Sequence, residues 1–161
     1  MKTESLTCRT FSGKDTIGLG RRVGICLREG DVVALSGDLG SGKTWFTKGL
    51  ALGLGVPPDV VVTSPSFALM NAYEGRCTLF HMDVYRLETA SDFLDAGLDD
   101  YLHGSGVAVV EWADRWPKLL PERHLMVKIT IVDADTREIM FSGFHPETIR
   151  TIQQVKRVSS R

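Results

Sequence analysis

Eight consecutive residues, Gly37-Asp38-Leu39-Gly40-Ser41-Gly42-Lys43-Thr44, have the spacing G-x-x-x-x-G-K-[ST] of a loop that holds nucleotide phosphates. Gly37, Gly40 and Gly42 let the main chain turn tightly and point its N–H groups inward. At the start of a helix, those donors form a cradle for an anion. Lys43 reaches the β- and γ-phosphates, and Thr44 supplies a hydroxyl to Mg²⁺. Two acids are placed to complete such a site. Asp83 ends the apolar run Thr78 to Met82, and Glu111 ends the run Gly106 to Val110. The carboxyl ends of buried strands are where open α/β sheets gather ligand-binding groups. An acid there binds Mg²⁺ directly or through water, and either Asp83 or Glu111 is a candidate to orient an attacking water.

The elements that must position these groups follow from the flanking pattern. Asp31 to Ser36 reads as a buried strand leading into the loop, and Thr44 to Leu52 as a helix leading out, stopped by Gly53 or Gly55. Upstream, Ser5 to Phe11 reads as a strand. A helix over 14–28 follows, capped by Ser12 or Asp15 and ended by Gly30. Phe67–Tyr73 and Cys77–Val84 form a hairpin around Glu74-Gly75-Arg76. Between the halves, Thr63-Ser64-Pro65-Ser66-Phe67 is a hydroxyl-rich loop. Facing a γ-phosphate, Thr63, Ser64 or Ser66 would sense it; otherwise the segment is a plain connector. Ser91 is the expected cap of a short helix ended by Gly97, and Asp99–Leu102 continues as helix or turn. Leu125–Val132 and Arg137–Phe144 pair as antiparallel strands around Asp133–Thr136. Residues 145–161 carry Arg150, Lys156, Arg157 and Arg161 against Glu147 alone, which predicts a short helix and a frayed basic tail in solvent.

The totals narrow the classes. A chain of 161 residues with 43% hydrophobic and 24% charged residues suits one globular α/β domain with a proper core. A net charge of −1 makes the chain as a whole no electrostatic magnet for nucleic acid. Cys8, Cys26 and Cys77 are odd in number and widely spaced, as reduced cytosolic thiols are. The N-terminus has no apolar signal-peptide core, and no run is long enough to span a membrane, so a cytoplasmic location is expected.

N-K-x-D and D-x-x-G, which mark guanine-specific switches, are absent, which favours ATP over GTP. The set G-D-L-G-S-G-K-T (37–44), T-S-P-S-F (63–67), H-M-D-V-Y-R (81–86) and V-V-E-W (109–112) resembles the TsaE family, formerly called YjeE, over roughly residues 5–144. The resemblance implies a phosphate-loop NTPase fold, three-layered, with a mixed, largely parallel central sheet and antiparallel flanking strands. It implies a cytoplasmic ATPase that acts with TsaD and TsaB in forming N6-threonylcarbamoyladenosine at position 37 of tRNAs reading A-starting codons, meeting tRNA only through that complex. On the family pattern Thr44 and Glu111 hold Mg²⁺, and Asp83 supports hydrolysis with Lys43 and Glu111. Asp38, Leu39, Gly40, Ser41, Gly42, Lys43, Thr44, Trp45 and Trp112 surround the nucleotide. Thr63, Ser64, Pro65, Ser66 and Phe67 form a switch-like loop, and Tyr85 and Arg86 lie near the partner or catalytic face. Two other readings keep the cradle: a small-molecule kinase, which needs an acceptor pocket and a basic lid, and a non-hydrolysing nucleotide switch.

Overall fold

The computed structural model describes residues 2–65 and 69–159; Ser66 and Phe67 lie outside the described residues. In chain order the elements are β1 (Glu4–Thr10), α1 (Gly13–Cys26), β2 (Val32–Gly37), α2 (Lys43–Gly53), β3 (Met70–Glu74), β4 (Thr78–Asp83), α3 (Ala90–Asp95), α4 (Asp99–Leu102), β5 (Val107–Glu111), β6 (His124–Ile131), β7 (Arg137–Gly143) and α5 (Pro146–Ser159). The strands form one sheet in the order β1-β7-β6-β2-β5-β4-β3. Its centre is parallel: β2 pairs with β6 and with β5, and β5 with β4. The flanks are antiparallel, β7 lying between β6 and β1, and β3 against β4.

Period-two alternation sends the two faces of the central strands into different cores. Val33 and Leu35 of β2 and Val109 of β5 pack with Leu19, Phe46, Leu50 and Ile152 from α1, α2 and α5. Val32, Ala34 and Val110 pack with Phe93 of α3, Leu102 of α4 and Leu98 just before α4 on the opposite face. Helices on both faces leave β5 wholly buried, as its unbroken apolar run predicts. The result is the expected three-layered mixed sheet.

Helices α1 and α2 meet through glycine. A Cβ built on Gly20 would stand 2.4 Å from the Phe46 carbonyl, and one on Gly49 only 2.2 Å from the Ile17 carbonyl. Gly24 and Gly53 approach the facing helix as closely, so backbone rests on backbone over this whole contact. This places the loop-bearing helix firmly against its neighbour.

Several expected boundaries move. Ser12 caps α1, accepting from Asp15 N at 3.0 Å, while the Asp15 carboxylate accepts from Phe11 N at 2.9 Å; the two candidate caps act together. The helix ends at Cys26, and Gly30 sits in the turn beyond. Helix α3 is capped by Thr89, not Ser91, because Asp92 returns a bond to Thr89 N and completes a capping box. As far as Ser159, the last described residue, the basic tail is ordered helix: α5 runs 14 residues, buries Ile152 and Val155, and pairs Lys156 with Glu4 of β1. The three cysteines are free, and burial pushes each thiol above its ordinary value. Among the described residues, no helix is long and apolar enough to cross a membrane.

Candidate functional site

The parallel register decides what meets at the carboxyl edge of the sheet. Leu35 of β2 stands opposite Glu111 of β5, and Glu111 stands opposite Asp83 of β4. The phosphate loop leaves β2 two residues past Leu35. Loop and both acids therefore open onto one cavity of about 540 Å³.

The loop takes its turns from glycine. Gly42 caps α2 at φ 107, and Gly37 at φ 153 has no room for a side chain: a Cβ there would lie 2.6 Å from Ser41 Oγ and 2.7 Å from the Ile129 carbonyl. Lys43 Nζ donates to the Gly37 and Asp38 carbonyls at 2.7 and 3.0 Å and lies 4.1 Å from the centre of the Trp112 ring. Burial holds its pKa below the ordinary lysine value, against the opposing pull of Glu111, Asp83, Asp38 and Asp114. Trp112 has a left-handed backbone, φ 63, unusual for a bulky residue. Its N–H still donates to the Leu35 carbonyl at 3.0 Å, and its ring rests on Tyr85 at 4.8 Å between centroids. The backbone twist at the end of β5 is thus what turns an aromatic face toward Lys43.

Behind the loop, a hydroxyl joins the two groups expected to hold a cation. Ser64 Oγ lies 2.9 Å from Thr44 Oγ1 and donates to Glu111 Oε2 at 3.2 Å. Oxygen donors from a hydroxyl and a carboxylate suit Mg²⁺, which takes its remaining oxygens from phosphate and water. Thr44 and Glu111 fit that ion in kind and in proximity. Among the described residues, no three or more His, Cys, Asp and Glu side chains cluster to hold a metal by themselves.

Asp83 is not an edge-strand carboxylate, since β3 covers β4 on the outer side. Its Oδ1 accepts from Tyr85 N at 2.9 Å. Burial raises its pKa above the ordinary carboxylate value; the Tyr85 bond opposes this and the neighbouring Glu111 reinforces it. A carboxyl that holds its proton more tightly than usual, at the edge of a cavity, is suited to acid–base work.

Of the expected residues, Leu39, Gly40, Gly42, Lys43, Thr44, Trp45, Ser64, Pro65, Asp83, Tyr85, Arg86, Glu111 and Trp112 line the cavity. Asp38 and Ser41 contribute main chain to the loop from outside that lining. Thr63 turns to the sheet edge, where its carbonyl accepts from Asn71 Nδ2 and Tyr73 Oη.

Two residues escape the sequence reading. His81 is fully buried, with Nε2 3.3 Å from Glu111 Oε1; alternation along β4, which puts it on the same face as Asp83, was the available signal. Arg137 reaches the loop from β7 and donates from Nε to the Ser41 carbonyl at 2.9 Å. No local pattern marks it.

Comparison with known proteins gives the chain's family and its fold. The family model "Threonylcarbamoyl adenosine biosynthesis protein TsaE" matches residues 10–139. A Treponema pallidum protein named tRNA threonylcarbamoyladenosine biosynthesis protein TsaE is 46% identical over 134 residues, spanning 83% of this chain and 98% of its own. A Bacillus subtilis protein of the same name is 43% identical over 141 residues, 87% of each chain. The crystal structure of Bacillus subtilis YdiB superposes with a TM-score of 0.82 at 35% identity, covering 99% of both chains. This likeness bears out the expected phosphate-loop NTPase-like fold.

Proposed function

The chain belongs to the TsaE family of threonylcarbamoyl adenosine biosynthesis proteins, and from that premise we propose that it is the ATP-binding, slowly ATP-hydrolysing subunit of this tRNA modification. Its place is in tRNA threonylcarbamoyladenosine biosynthesis. The observation that carries the finer reading is the convergence, in one cavity, of the Lys43–Thr44 loop with two carboxylates on adjacent parallel strands.

The loop N–H groups and Lys43 hold the β- and γ-phosphates, Lys43 sliding from the loop carbonyls onto the anion that now satisfies it. Thr44 and Glu111 would hold Mg²⁺, which would supply charge neutralisation on the phosphate oxygens. Asp83 in its ionised form orients the attacking water and takes up its proton, and the burial that raises its pKa makes that carboxylate the stronger base. Trp112 restricts solvent on the Lys43 side. No arginine is assigned to the transferred phosphoryl group, so hydrolysis by the chain alone is slow. The partners are TsaD and TsaB, engaged through the Thr63–Phe67 loop and the Tyr85–Arg86 face; tRNA is met through that complex, in the cytoplasm.

A kinase reading has less support. Residues 87–106, where a lid would lie, contain no Lys or Arg and instead insert Phe93, Leu98 and Leu102 into a core. The test is phosphate release from ATP with Mg²⁺, measured with and without purified TsaD and TsaB. Slow release that rises with the partners and vanishes in Lys43→Ala supports the assignment. Partners that neither bind nor change turnover refute it, and transfer of labelled γ-phosphate to a small acceptor favours the kinase.

A further inference from the structure

We infer that Arg137 is a positioning residue of the phosphate loop, pinning its main chain from behind so that the Gly42 N–H is aimed into the cavity. The inference rests on the nucleotide-phosphate reading of that loop. Arg137 opens β7 and is 7% exposed. Its Nε donates to the Ser41 carbonyl at 2.9 Å and its Nη2 to the Gly40 carbonyl at 3.4 Å. Its Nη1 donates to the carbonyls of Asp133, Ala134 and Thr136 at 2.8, 3.3 and 3.1 Å. Every hydrogen-bond acceptor is main chain, and the exposed Asp133 carboxylate meets the guanidinium through charge alone.

Two physical consequences follow. A peptide unit is planar and trans, so the C=O of Ser41 and the N–H of Gly42 point in opposite directions. Holding the carbonyl back toward β7 directs the N–H forward, to the side where Gly42 lines the cavity. The charge matters too. A buried cation offset only by a solvent-exposed carboxylate is costly, and a neutral side chain could close the 133–136 turn. A polyphosphate in the cradle would add a second anion, sensed through one layer of main chain. The planar fork is also what lets one side chain span the turn and the loop together, which a lysine cannot do.

The test is calorimetric titration of ADP, without added metal, into wild type, Arg137→Gln and Arg137→Lys, each checked by circular dichroism and urea unfolding. Ile139→Ala serves as a control: Ile139 is buried in the same strand and faces the core, not the loop, so its loss lowers stability alone. The expected result is ADP binding weakened by roughly tenfold or more in both Arg137 variants, with Ile139→Ala binding as wild type does. If Arg137→Gln does not fold, Arg137→Lys carries the comparison. Wild-type affinity in a folded Arg137→Lys protein overturns the inference, as does an equal loss in Ile139→Ala. A wild type that binds no ADP would sink the nucleotide reading of the site, and this inference with it.

Discussion

Two glycines of α1, two residues apart, should respond to the same substitution with opposite sign. A Cβ on Gly18 meets nothing within 4 Å, whereas one on Gly20 meets the Phe46 carbonyl at 2.4 Å, Gly49 Cα at 3.1 Å and Leu50 N at 3.3 Å. In either place, Gly→Ala in a helix contributes about 0.5–1 kcal/mol by propensity and a less disordered unfolded chain. Gly18→Ala should keep that gain, raising Tm by roughly 1–4 °C for a chain of this size. For Gly20→Ala the obstruction is backbone, which cannot swing aside as a side-chain tip does. Restoring an ordinary contact separates the helices by roughly 1 Å. Gly24, Gly49 and Gly53 share the contact, so the separation loosens the whole seam. Overpacking of this kind costs about 1–3 kcal/mol, here at the upper end, for a net loss of roughly 2 kcal/mol and a fall of about 4–8 °C. Urea unfolding and thermal melts followed by far-ultraviolet circular dichroism measure both. A Gly20→Ala protein as stable as Gly18→Ala would refute the backbone-on-backbone packing.

Other outcomes concern the acids. Glu111→Gln should leave ATP affinity in the absence of metal within a few-fold of wild type and abolish the increment that Mg²⁺ adds, read by paired calorimetric titrations; an unchanged increment would remove Glu111 from the cation site. Burial raises the folded pKa of Asp83 above the ordinary aspartate value of 3.8, so the native state holds its proton more tightly than the unfolded chain does. Its stability contribution is therefore lost as pH rises from about 4 through the raised folded value. Asp83→Asn should flatten that fall and be the more stable protein above it, while losing hydrolysis. Parallel urea-midpoint curves for the two proteins over pH 4–8 would contradict this.

The site was legible wherever its requirements are local. Strand, glycine loop and helix around Lys43 follow one another in the chain. The acids announced themselves as polar ends of apolar runs, and parallel pairing then made Asp83 and Glu111 neighbours. What stayed hidden depends on contacts between distant segments. His81 looks like any strand histidine until β5 brings Glu111 to its ring. Ser64 was one of three equivalent hydroxyls until the fold placed it between Thr44 and Glu111. Charge along residues 145–161 suggested a solvated tail, because the sequence does not show that β1 and β7 offer a surface for Ile152 and Val155. The Ser91 error was of another kind: Thr89 and Asp92 already held a capping box in plain sequence.

The bond from Arg137 to Ser41 spans 96 positions of chain, which bears on the order of assembly. A chain emerging from the ribosome displays the whole glycine loop long before β7 has been synthesised. Until β7 pairs with β6 and β1, the loop is present in covalent form without its rear support. Such late, sequence-distant closure slows folding. Nucleotide affinity should therefore be among the last properties acquired on refolding, arriving with the antiparallel wing and not with the helix that carries Lys43.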